Sequence, residues 1–205
     1  MRADRLVRAG VAALLAGLSL APAGAAPLDV TLTGSDGKPL ADAVVAVYVK
    51  GGKATAQAGT SAEIAQRARQ FQPQVTVVQT GTAVLFPNFD TVRHHVYSFS
   101  AIQRFEIKLY AGVPNVPLAF DKPGVATLGC NIHDCMLAFI AVVDTAFFAR
   151  SDGAGKVRIE LPPGRHRLTA WHPAMTETGA WIEQGVSVEA AGGLAAVKLP
   201  AVAAP

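Results

Sequence analysis

One short stretch of the chain, Gly129-Cys130-Asn131-Ile132-His133-Asp134-Cys135-Met136, brings a thiol, an imidazole and a thioether together in the spacing Cys-x-x-His-x-x-Met. A tight loop between two strands can aim all three at one point. Soft sulfur with nitrogen selects copper, and a weak axial thioether suits an electron-transfer centre. Such a centre needs a second imidazole. The segment Asn88-Phe89-Asp90-Thr91-Val92-Arg93-His94-His95-Val96 offers two. Neighbouring residues on a strand face opposite sides, so one of His94 and His95 is expected to ligate. Spacing alone leaves both open. In a copper carrier, His95 and Cys135 would serve as auxiliary donors.

The rival chemistry for the two cysteines is a disulfide, the default pairing in an oxidising compartment. Joining Cys130 to Cys135 would consume the thiolate and leave a stapled, metal-free binding module. A mere staple does not call for His133 and Met136 as well. The remaining titratable groups suggest no catalysis. His172, in Trp171-His172-Pro173, reads as structural, and His166 alternates with Arg165 and Arg167 as a solvated strand residue. Asp90, Asp134 and Asp144 form no paired-carboxylate pattern. A serine-nucleophile motif, a glycine-rich phosphate loop and a zincin helix are all missing from the sequence. The chain is therefore read as a non-enzyme with no catalytic residues.

The elements that must position these ligands read as strands. Val30 and Leu32 alternate ahead of a turn at Gly34-Ser35-Asp36-Gly37, and Ala43 to Tyr48 follows. Further short runs occur at Val75–Val78, Ala83–Phe86, Val96–Phe99, Phe105–Leu109, Val125–Leu128 and Leu137–Val143. Later ones fall at Val157–Leu161, Arg165–Trp171, Val186–Val188 and Ala195–Leu199. Many short strands with turns between them predict an all-β sandwich or barrel. A single short helix is expected over Ser61–Gln70, with Ser61 as N-cap and Glu63 in the first turn.

The start of the chain reads as a secretory signal over residues 1–25. Arg2, Arg5 and Arg8 precede an apolar run from Ala9 to Leu20, and Pro22 and Ala23-Gly24-Ala25 form a small-residue cleavage site. The run is shorter than the ~20 residues a spanning helix needs. The expectation is therefore export to the periplasm, with no stable membrane insertion after cleavage. The whole chain carries a formal charge of +3. Three arginines against Asp4 place +2 of that in the leader, so the remainder carries +1 and has no electrostatic footprint for nucleic acid.

Two resemblances sharpen this reading. Phe71 to Val143 resembles a cupredoxin of the plastocyanin and amicyanin kind. It is carried by Phe71-Gln72-Pro73-Gln74-Val75-Thr76-Val77-Val78 through Phe86-Pro87-Asn88, by His94-His95-Val96, and by Cys130-x-x-His133-x-x-Met136. The short final loop is amicyanin-like. The resemblance implies a Greek-key β-sandwich and one type 1 copper, with His94, Cys130, His133 and Met136 as ligands and the ring edge of His133 as the electron exit. Apolar residues beside it, such as Leu137 and Phe139, would form a docking patch. It also implies electron transfer to a redox partner such as a c-type cytochrome or a dehydrogenase. The same ligands would serve a copper-binding or resistance carrier. The family's usual Asn after the first His is here His95, and Ile132 stands where Pro often precedes the second His. The whole chain also resembles exported proteins grouped as methylamine-utilisation or plastocyanin-like.

The two ends of the chain resemble a carboxypeptidase-regulatory-like (transthyretin-like) sandwich, through Val30–Val47 and Ser151–Ala170. In that family the two pieces lie close in sequence. The expected organisation is a copper domain over residues 62–146 inserted into a discontinuous sandwich of residues 27–50 and 147–201. The competing organisation is one cupredoxin with two decorating arms.

Overall fold

A computed structural model describes residues 24–114, 116–175 and 179–201. The expected signal segment, residues 1–25, lies almost wholly outside the described residues. The chain is all-β, and no helix occurs among the described residues.

The strands sort by sequence position. β1 (Ala26–Thr33) and β2 (Val44–Tyr48) pair only with strands from the last third of the chain. β1 lies between β14 (Lys156–Leu161) and, in parallel, β17 (Gly193–Lys198). β2 lies between β13 (Phe147–Arg150) and β15 (Gly164–Trp171), with β16 (Ile182–Val188) at the edge. β14 shows why: its residues alternate strictly between exposed and buried, so one face can be sealed against a second sheet.

The intervening strands pair among themselves. β6 (Val75–Gln79), β12 (Leu137–Val143), β11 (Gly124–Gly129), β8 (His94–Ser98) and β9 (Phe105–Tyr110) form a five-stranded sheet in that order. β10 (Leu118–Phe120), β7 (Thr82–Leu85) and β3 (Ser61–Glu63) form a three-stranded sheet, and β4 (Ala65–Arg67) pairs with β5 (Gln70–Gln72).

Two apolar cores result, and β12 belongs to both. Phe139 and Ala141 join Val75, Val125 and Trp171 in the sandwich core. Ala138, Ile140 and Val142 join Phe86, Leu128, Cys130 and Met136 in the other. A strand buried on both faces reads as a continuous apolar run, as Leu137–Val143 does.

The helix expected over Ser61–Gln70 is absent; that stretch forms β3, β4 and the start of β5. Its residues are good helix formers, but tertiary pairing overrides that weak preference. Ser61–Glu63 lie parallel to Ala83–Leu85. Ile64, Ala65 and Gln66 are consecutively buried, which a one-sided helix would not allow. Ala68 and Arg69 then turn the chain with positive φ, at 51° and 57°. Two successive left-handed residues in a two-residue hairpin define a type I′ turn. Without glycine each costs roughly 1–2 kcal/mol, so the turn needs outside support. That support comes from Asp90.

Candidate metal centre

His94 opens β8, just where the pairing with β9 slips register between His94 and Val96. Such an irregularity re-aims side chains. Here both His94 and His95 are buried, with His94 wholly so. The His94 ring is held from behind: Nε2–H donates to Asp90 Oδ2 at 2.7 Å. Its Nδ1 is buried with no hydrogen-bond partner among the described residues. A buried, unpartnered ring nitrogen is costly unless something else takes its lone pair.

Two further donors lie close to the His94 ring. Cys130 follows β11 and is buried and free. His133 lies on the loop to β12, with its ring 5.0 Å from that of His94 at 62°. Cys130 Sγ and His133 Nδ1 are 3.9 Å apart. The three donor atoms of His94, Cys130 and His133 all lie within 4.8 Å of one another. Nitrogen and thiolate ligands bind a metal at about 2.0 and 2.3 Å, which places them about 3.5–4 Å from each other. The cluster is therefore close to binding separation before any ion enters. Met136 is buried in the same core as Cys130, and its N–H closes the loop onto His133 O at 3.0 Å. The donor set fits copper: a thiolate, two imidazoles and a buried thioether nearby.

The segment leading to His94 is tightly tied. Asn88 is buried; its Nδ2 donates to Val92 O and Tyr110 O, both at 2.9 Å, and its Oδ1 accepts Asp90 N–H at 2.9 Å. Asp90 in turn accepts Ala68 N–H at 2.7 Å and Arg69 N–H at 2.9 Å. Burial works to raise the Asp90 carboxyl, but these amides and His94 outweigh it and hold the group below its ordinary value. Tyr110 donates to Phe86 O at 2.5 Å, and the buried Gln66 amide bonds the same phenol oxygen. Burial, with the nearby Cys130 sulfur adding to it, pushes the Tyr110 phenol up to about 12.

Other expected residues fall elsewhere. His95 turns away from the cluster, and its Nε2–H donates to Glu106 Oε1 at 2.8 Å. Cys135 is exposed, and no disulfide joins it to Cys130. His172 spends both ring nitrogens on backbone groups, Ala41 O at 3.0 Å and Ala174 N–H at 3.1 Å. Of the two apolar residues expected beside His133, Leu137 is exposed while Phe139 is core, packed 5.6 Å from Trp171. Asp90, Asn88 and Gln66 were not expected at the site. The one available signal was an acidic residue four positions before a candidate ligand.

No protein-family model matches the chain, and no curated protein matches it. Among solved structures, it is similar to a novel purple cupredoxin from Nitrosopumilus maritimus at 22% identity and a TM-score of 0.36, covering 40% of this chain and 98% of that one. It is similar to a reduced variant of amicyanin at 14% identity and a TM-score of 0.38, covering 48% and 97%. It is also similar to native pseudoazurin from Hyphomicrobium denitrificans at 20% identity and a TM-score of 0.36, covering 40% and 75%.

Proposed function

We propose that the chain is an exported electron carrier with a single type 1 copper held by His94, Cys130 and His133, and Met136 as the axial ligand. The copper block is cupredoxin-like, spans residues 62–146, and is inserted into a carboxypeptidase-regulatory-like sandwich of residues 27–50 and 147–201. The observation that carries this reading is the convergence of one donor atom each from His94, Cys130 and His133 within 4.8 Å of one another, at the end of the apolar core that holds Cys130 and Met136.

Copper, when bound, supplies the one-electron couple. The residues do the rest. Asp90 and Asn88 fix His94, so little rearrangement accompanies a change of charge. The core around Cys130 and Met136 excludes water. His133 is half-exposed, with Ile132 and Leu137 exposed beside it in sequence, so its ring edge is the route to a partner. That partner is a redox protein, such as a c-type cytochrome or a dehydrogenase, in the periplasm. Among the described residues no helix is long and apolar enough to cross a membrane.

A copper-delivery or resistance role is the second reading, favoured by the free, exposed thiol of Cys135 two positions from His133. Titration of the protein with Cu(II) decides between these. Electron transfer predicts a strong visible thiolate-to-copper band, bleached and restored through repeated reduction and oxidation, and lost in Cys130→Ser. Tight copper uptake without reversible cycling points to delivery. No band at all sinks both readings.

A further inference from the structure

Three donors from two separate segments converge on the Asp90 carboxylate. Two are the amides of the left-handed turn residues Ala68 and Arg69, and the third is His94 Nε2. The carboxylate is itself aimed by Asn88 Oδ1 through the Asp90 amide. A neutral acceptor would suffice to hold an imidazole ring in place. A carboxylate adds a fixed negative charge 2.7 Å from Nε2, the ring nitrogen of His94 that faces away from the cluster, and that charge interacts more strongly with a doubly charged ion than with a singly charged one. It also makes the ring a stronger donor through its other nitrogen.

We propose that Asp90 is a positioning residue that tunes the centre. Braced by the Ala68–Arg69 turn, it keeps the proton of His94 on Nε2, presents Nδ1 to the metal, and lowers the reduction potential by favouring the oxidised ion. The redox half of this inference rests on the copper reading above; the positional half does not. The β4–β5 hairpin then acts as outer scaffolding of the centre, although none of its residues is a ligand.

The test must separate the turn from the ring. Replacing Ala68 and Arg69 by glycine, which adopts positive φ freely, frees the turn from its need for Asp90. Asp90→Asn in that background keeps an acceptor for the ring but removes the charge. The expected result is an unchanged potential for the glycine pair alone. Adding Asp90→Asn should lower the ratio of Cu(II) to Cu(I) affinity by at least about tenfold, which is about 59 mV upward for a one-electron couple. Asp90→Glu should restore part of the shift. An intact copper band with an unshifted potential in Asp90→Asn overturns the tuning role.

Nitrogen NMR of the copper-free protein provides the independent arm. Wild type should show His94 protonated on Nε2, and Asp90→Ala should release that preference. A His94 proton on Nδ1 in the wild type, or an unaltered tautomer in Asp90→Ala, overturns the positional role. A wild type without any thiolate–copper band overturns the redox half together with the copper reading, and the tautomer still decides the positional half.

Discussion

The two sides of the metal cluster are built in opposite ways. The upstream side is fastened at three residues: Asn88 makes three side-chain bonds, Asp90 accepts three, and His94 is sealed from solvent. On the downstream side, Met136 N–H to His133 O is the backbone bond that closes the loop, while Asn131, Ile132, Asp134 and Cys135 are exposed. The difference teaches which half carries preorganisation. Geometry is imposed from the segment leading into β8, and the loop bearing His133 settles against it.

Substitutions on either side can break or sharpen that contrast, with a change of pH as a reference point away from both. The largest effect is expected for Asn88→Ala. It strands Val92 O, Tyr110 O and Asp90 N–H in a part-buried setting, and an unsatisfied buried group costs about 1–3 kcal/mol. Denaturant titration of the copper-free protein should show a loss of about 3 kcal/mol, and a loss under 1 kcal/mol would mean the upstream side is not the stiff one. Gly129→Ala comes next. A Cβ there would meet the Tyr97 ring at 2.7 Å. Overpacking typically costs about 1–3 kcal/mol, and because Tyr97 is half-exposed and can swing, about 1 kcal/mol is expected, recovered in Tyr97→Ala.

A milder effect comes from His172, which belongs to neither side. Burial lowers its pKa despite the opposing pull of Ala41 O and Asp42. The folded state therefore disfavours the protonated ring, so its contribution is complete above about pH 6.5, the unfolded value, and declines as pH falls through the folded value. Melting temperature should drop on acidification over that window, and His172→Gln should flatten the drop. The smallest effects belong to the downstream loop. Cys135→Ser and Ile132→Ser should each stay within about 0.5 kcal/mol of wild type and keep the copper band. Loss of the band in Cys135→Ser would reinstate that thiol as a ligand.

Much of this was legible from residue pattern. Strict alternation marked β14, the apolar run marked β12, and the spacing singled out Cys130 and His133, which the structure brings together with His94. The failures share a cause. Ser61–Gln70 is composed of helix formers, and its strands exist because β7 offers an edge and Gln66 finds Phe86 O and Tyr110. Asp90 gains its role only when a turn about twenty residues upstream folds against it. Such meetings depend on three-dimensional proximity, which local periodicity does not encode.

The double burial of β12 has a practical consequence for anyone who wishes to trim this chain. Residues 62–146 look like a convenient minimal module. Cut free, that module would present Val75, Val125, Phe139 and Ala141 to water as one sheet face, the kind of contiguous apolar patch that drives self-association. The sandwich serves in this sense as a built-in solubility partner for the sheet that carries Cys130.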